Sequence, residues 1–96
     1  MASDNYIRVR LFCERTKIDD DFIRNLQEYG LVAIEEREND IFIEENDISQ
    51  IEKMFRLHHD LGINYEGLDV INQMLQRLNS MNTELEQLRK KLYLYE

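Results

Sequence analysis

A chain of 96 residues with a net charge of −8 and a single cysteine reads as one small domain plus an extension. It has no apolar run near the roughly 18 residues of a membrane span and no charged-then-apolar leader. One cysteine excludes an internal disulfide or a multi-cysteine metal site within one chain and suits a reducing cytoplasm. The charge is uneven: residues 19–47 carry eleven acids against two bases, Arg24 and Arg37, a net of −9, whereas residues 1–18 are at +2 and residues 48–96 at −1. Such a block repels phosphate and attracts a basic partner. Its plainer use is as a solvated, solubilising surface.

In chain order, Ile7, Val9 and Leu11 alternate with Arg8 and Arg10, which predicts a brief strand over Tyr6–Val9. A short helix is expected over Leu11–Thr16, with Cys13 among apolar neighbours as a small core residue. Asp19 to Asp21 supply an N-cap and first-turn acids for a second helix. Phe22, Ile23, Leu26 and Tyr29 form its apolar stripe, and Gly30 ends it as a left-handed residue. Helix, tight turn, helix is the layout of a helix-turn-helix.

Leu31–Glu36 and Ile41–Ile43 are strand candidates around the polar turn Arg37-Glu38-Asn39-Asp40, where Asn39 and Asp40 tolerate positive φ. Together they predict a small acidic wing. Asp47 is the expected N-cap of a third helix whose face holds Ile48, Ile51, Met54, Phe55, His58 and Leu61, ended by Gly62. His58 and His59 point about 100° apart on a helix, so they do not readily share a metal. The expectation is His58 inward and His59 in solvent.

Asn64 should cap the last helix, with Ile63 stapled onto Leu68. From about Glu66 to Tyr93, Ile71, Met74, Leu78, Met81, Leu85, Leu88, Leu92 and Tyr95 recur at alternating spacings of three and four, the seam of a coiled coil. The start of this helix, with Leu68, Val70, Ile71, Met74 and Leu75, should pack on the body. The seam beyond it either meets a second copy of the chain or folds back. Asn79 to Asn82 are weak helix formers and a possible bend. A parallel pair would set Glu84 against Arg89, an antiparallel one Arg77 against Glu84; such surface pairs are too weak to decide between them.

The survey for catalysis is negative. The chain has no Gly-rich phosphate loop, nucleophile elbow or metal-spaced Cys/His cluster, and its carboxylates lie in solvated blocks. A non-enzyme without cofactors or a metal site is expected.

The order short strand, helix-turn-helix, wing, capped helix, long helix resembles the MerR-like winged-helix group. More narrowly, the chain is similar to bacterial chaperone modulators of the CbpM-like family. The stretches that carry the likeness are Phe12-Cys13-Glu14-Arg15-Thr16-Lys17-Ile18, Tyr29-Gly30-Leu31-Val32, Arg56-Leu57-His58-His59-Asp60-Leu61-Gly62-Ile63, and Gly67-Leu68. The resemblance implies a mainly α fold with a small β wing: a winged helix-turn-helix body over residues 1–63 and a long coiled-coil helix over residues 64–96. It also implies capture of the J-domain of a DnaJ-type co-chaperone, whose basic face would otherwise engage an Hsp70.

On that reading Asp20, Asp21, Glu28, Glu35, Glu36 and Glu38 form the partner-binding face, by electrostatics alone. Met74, Leu78, Met81, Leu85, Leu88 and Leu92 form the dimerisation seam of a homodimer. The alternative is a MerR-type DNA-binding regulator. Only Arg24 and Arg37 serve it on the second helix and the wing, although Arg8, Arg10, Arg15 and Lys17 form a further basic group. A third reading makes the chain a coiled-coil adaptor with the winged body as a platform.

Overall fold

A computed structural model describes residues 5–94. The elements, in order, are β1 (Tyr6–Arg8), α1 (Val9–Arg15), α2 (Asp20–Glu28), β2 (Ile34–Arg37), β3 (Asp40–Glu44), α3 (Ile48–Leu61) and α4 (Tyr65–Leu94). The fold is mainly helical, with a three-stranded antiparallel sheet and a long C-terminal helix.

Local chemistry explains the helix-turn-helix. Thr16 Oγ1 donates to the Phe12 carbonyl at 2.9 Å and accepts from the Ile18 N–H at 3.2 Å, ending α1 and turning the chain. Asp19 Oδ1 then accepts from the Phe22 N–H at 2.9 Å, an N-cap bond backed by Asp20 and Asp21 in the first turn. Helix α1 starts two residues before the expected Leu11, directly off β1, so Val9 is helical and buried.

After α2, Gly30 takes φ +73° and the Leu31 N–H donates to the Leu26 carbonyl. Leu31 and Val32, expected in a strand, instead form a buried turn, and β2 begins only at Ile34. Their burial comes from membership of the common core, which sequence alternation cannot separate from a strand. The wing hairpin pairs Arg37 with Asp40 across a two-residue loop. Glu38 (φ 51°) and Asn39 (φ 66°) hold the positive φ values, one position earlier than expected. Asp40 lies in β3 instead.

The sheet order is β1-β3-β2, with Ile7 and Ile34 both opposite Ile43. Alternation places these three isoleucines toward the helices and Tyr6, Arg8, Glu35, Arg37, Asp40 and Phe42 on the outer face. A 3-10 turn, Glu45–Asp47, leads into α3. Asp47 occupies the N-cap position but makes no side-chain cap bond, because its own backbone is already helical.

The core holds Val9 and Phe12 from α1, Phe22, Ile23 and Leu26 from α2, Ile43 from β3, Ile51 and Met54 from α3, and Leu68 from α4. Phe22 is the hub of an aromatic group, with ring centroids 5.4 Å from Phe55, 5.4 Å from His58 and 5.8 Å from Tyr65. Leu61, expected on the buried face of α3, is 70% exposed, because the left-handed turn at Gly62 (φ +67°) swings the chain away.

Helix α4 starts as the sequence indicates: Asn64 Oδ1 accepts from the Gly67 N–H at 2.8 Å. Only Leu68 is fully buried, and Ile71 and Leu75 are partly covered. Val70 and Met74, also expected against the body, are mostly in solvent. At 1.5 Å per residue the thirty-residue helix runs about 45 Å, and the body meets only its beginning. Asn79 to Asn82 stay helical, with Thr83 Oγ1 donating to the Asn79 carbonyl at 3.0 Å. Tyr95 lies outside the described residues.

Candidate interaction site on the helix-turn-helix and wing

In a helix-turn-helix the second helix is the reading element, and its first residues reach the ligand. Here that helix opens with Asp20 and Asp21, both exposed. Its one base, Arg24, sits 3.8 Å from Asp20 in an i,i+4 pair. The wing repeats the arrangement. Arg37 Nε donates to Glu35 Oε1 at 2.9 Å, and its guanidinium lies 4.7 Å from the centre of the Tyr6 ring. Arg8 on β1 contacts Asp40 at 3.3 Å. Arg24 on the reading helix, Arg37 on the wing and Arg8 beside it are thus each held by an acid of their own chain.

This outer-sheet cluster shifts its members. Hydrogen bonding to Arg37, then to Tyr6, holds the Glu35 carboxyl below the usual carboxylate range. The same bond to Glu35, with its charge, pushes the Tyr6 hydroxyl up. At the far end of α2, burial and then Glu66 raise the Tyr29 hydroxyl, which joins α2 to the start of α4.

Between α1, the beginning of α2 and the wing lies a groove of about 650 Å³. Val9, Cys13 and Ile41 line it with apolar atoms, and Glu14, Asp20, Glu36 and Asp40 line it with carboxylates, beside Arg10 and Arg24. The structure thus brings together two of the six expected acids, Asp20 and Glu36. Asp21, Glu28 and Glu38 are exposed but do not line the groove, and Glu35 is engaged on the outer sheet face. Sequence reasoning missed Glu14, because α1 was read for its apolar side, and Asp40, because it was placed in the turn. The Cys13 thiol is pushed up by burial, then by Asp20 and Asp19, which disfavours the reactive thiolate.

The histidine pair resolves as the helical geometry predicts. His58 is half-buried, with Nδ1 2.7 Å from the Ile63 carbonyl oxygen. A carbonyl only accepts, so Nδ1 carries the proton. His59 stacks on Phe55 and faces solvent. Among the described residues no group of three or more His, Cys, Asp or Glu is placed to hold a metal ion, and no helix is long and apolar enough to cross a membrane.

The fold is thus a winged helix-turn-helix with a long C-terminal helix, and comparison with known families agrees with it. The model of the MerR HTH family regulatory protein matches residues 7–90. The chain belongs to that family. No curated protein matches it. The family is described as regulatory, and the helix-turn-helix that its description names is formed here by α1 and α2, with the β2–β3 hairpin as the wing. In this MerR-type chain those elements are acidic, and their cations are paired internally.

Proposed function

We propose that this chain is a non-enzymatic chaperone modulator. It captures the basic face of the J-domain of a DnaJ-type co-chaperone and so withholds that domain from Hsp70. One observation carries the reading: the reading helix and wing present carboxylates where a DNA reader presents cations, and Arg24 and Arg37 are each held by a neighbouring acid. Electrostatic complementarity of this kind speeds association and makes binding weaken with salt. The test is calorimetry with the J-domain of a co-chaperone from the same organism at low and physiological salt. Heat that weakens as salt rises is expected; no heat at either salt overturns the reading.

A second reading, a DNA-binding regulator, is compatible with the family description, which names a helix-turn-helix and a regulatory role. Phosphate neutralisation needs several free cations, and a mobility-shift experiment at low salt is expected to show no complex. A shift abolished by Arg24→Gln with Arg37→Gln reverses the order of the two readings.

The chain also self-associates along α4 on this proposal. Leu78, Met81, Leu85, Leu88 and Leu92 are between 48% and 62% exposed, and they repeat at the spacing of a two-helix seam. Sedimentation of the whole chain is expected to report a dimer, and Leu85→Glu a monomer of unchanged helicity. A wild-type monomer at all concentrations would remove this part.

A further inference from the structure

Capture of a basic domain leaves open where the contact is made, and the charges of the body narrow it. Asp20 is tied to Arg24, Asp40 to Arg8, and Glu35 to Arg37 and Tyr6. The side chains of Glu14 and Glu36 have no ion-pair or hydrogen-bond partner among the described residues, yet both line the groove between α1, α2 and the wing. The apolar lining beside them comes from Val9, Cys13 and Ile41. A carboxylate rim over an apolar floor matches one kind of guest. Arginine and lysine bury an aliphatic stem on apolar surface and place a charged head among acceptors.

We propose that this groove seats one cationic side chain, an arginine or lysine, presented by a helix of the captured J-domain. The inference rests on the J-domain reading and assigns its central contact to Glu14 and Glu36, with Asp20 and Asp40 as a partly neutralised rim. It assigns no central role to Asp21, Glu28 or Glu38. Arg10 lines the same groove and forms no ion pair among the described residues, although Glu14 stands four residues ahead of it on α1. It is the resident rival of the incoming cation, since like charges repel inside a confined site.

The test uses the whole chain, the J-domain and calorimetry at low salt. Glu14→Gln and Glu36→Gln each keep shape and remove charge from an exposed side chain, and each is expected to weaken binding about tenfold, the loss of one charge-assisted hydrogen bond. Asp21→Asn and Glu28→Gln, outside the groove, are expected to bind within about twofold of the parent, as peripheral charges do. Arg10→Gln is expected to bind more tightly than the parent, an outcome that general loss of structure cannot mimic. Cys13, the only thiol, supplies an independent readout: its reaction with a small disulfide reagent should slow when the J-domain is bound. If the J-domain binds but Glu14→Gln and Glu36→Gln retain full affinity and Cys13 reacts at an unchanged rate, the groove assignment is overturned and capture stands. If the parent chain gives no heat, both fall together.

Discussion

The body and the outer half of α4 treat apolar residues in opposite ways. From Val9 to Leu68, twelve apolar side chains are buried in one cluster. Beyond Leu75, every leucine and methionine of the described helix is about half exposed or more. The residue types are the same, so hydrophobicity does not separate the regions. Reach does: the cluster touches α4 at Leu68 and its neighbours, and the helix then runs on beyond the body. Strong helix formers such as Glu84-Leu85-Glu86-Gln87-Leu88 favour the helix locally. They do not supply a cover for its stripe.

The largest expected effect separates the two regions directly. Ile23→Ala opens a cavity where no solvent reaches and should cost about 2–5 kcal/mol in urea unfolding, at any protein concentration. Leu85→Ala removes comparable apolar bulk from the outer helix. It should leave the body's intrinsic stability within about 0.5 kcal/mol and lower the unfolding midpoint only at concentrations where copies associate. An equal loss for Leu85→Ala at every concentration would mean that the stripe packs on its own body, and the comparison would fail.

Gly67→Ala tests the junction. A Cβ there would stand 2.7 Å from Ile63 Cγ2 and 3.1 Å from Asn64 Oδ1, the acceptor of the cap bond. Alanine gains about 1 kcal/mol of helix propensity over glycine. Against this, crowding a β-branched side chain costs about 1–3 kcal/mol, so a net loss of about 1 kcal/mol is expected. Thermal melting measures it, and a stabilised variant would show that Ile63 yields without cost. The wing gives a smaller effect of opposite sign. Glu38 has a positive φ without being glycine, so Glu38→Gly should stabilise the hairpin by roughly 0.5–1 kcal/mol. A lower melting temperature would show that Glu38 makes a contact worth more than its strain.

Much of this fold is legible in the residues. Asp19, Gly30, Gly62 and Asn64 punctuate the helices because each supplies a backbone need that few residue types meet. Leu31 and Val32 were misplaced because a buried turn and a buried strand share the same apolar signature. Leu61 keeps the helical spacing of the buried face, but it is the last residue before the left-handed turn at Gly62 and lies in solvent. The groove was only half legible. Asp20 and Glu36 lie sixteen positions apart in sequence, and nothing local says that the wing folds back toward α1. The internal pairing of Arg24 and Arg37 was likewise hidden, since charge counts do not say which acid each base will touch.

The smallest expected effect concerns the tyrosines that fasten the body. Tyr6 is raised by its hydrogen bond to Glu35 and by that charge, and Tyr29 by burial and then Glu66. A raised folded-state value means that the folded chain holds the proton more tightly than the unfolded one. The stabilisation is therefore fully present below the ordinary tyrosine value near about pH 10 and is lost as pH rises through the elevated values. Ultraviolet titration of the folded chain should show these two hydroxyls ionising late, and urea midpoints should decline over the same window. Tyr6→Phe removes one of the two contributions and should make that decline shallower. On the outer helix, by contrast, Tyr93 is 77% exposed. A slope that ignores Tyr6→Phe would show that the bond from Tyr6 to Glu35 adds nothing to the stability of the body.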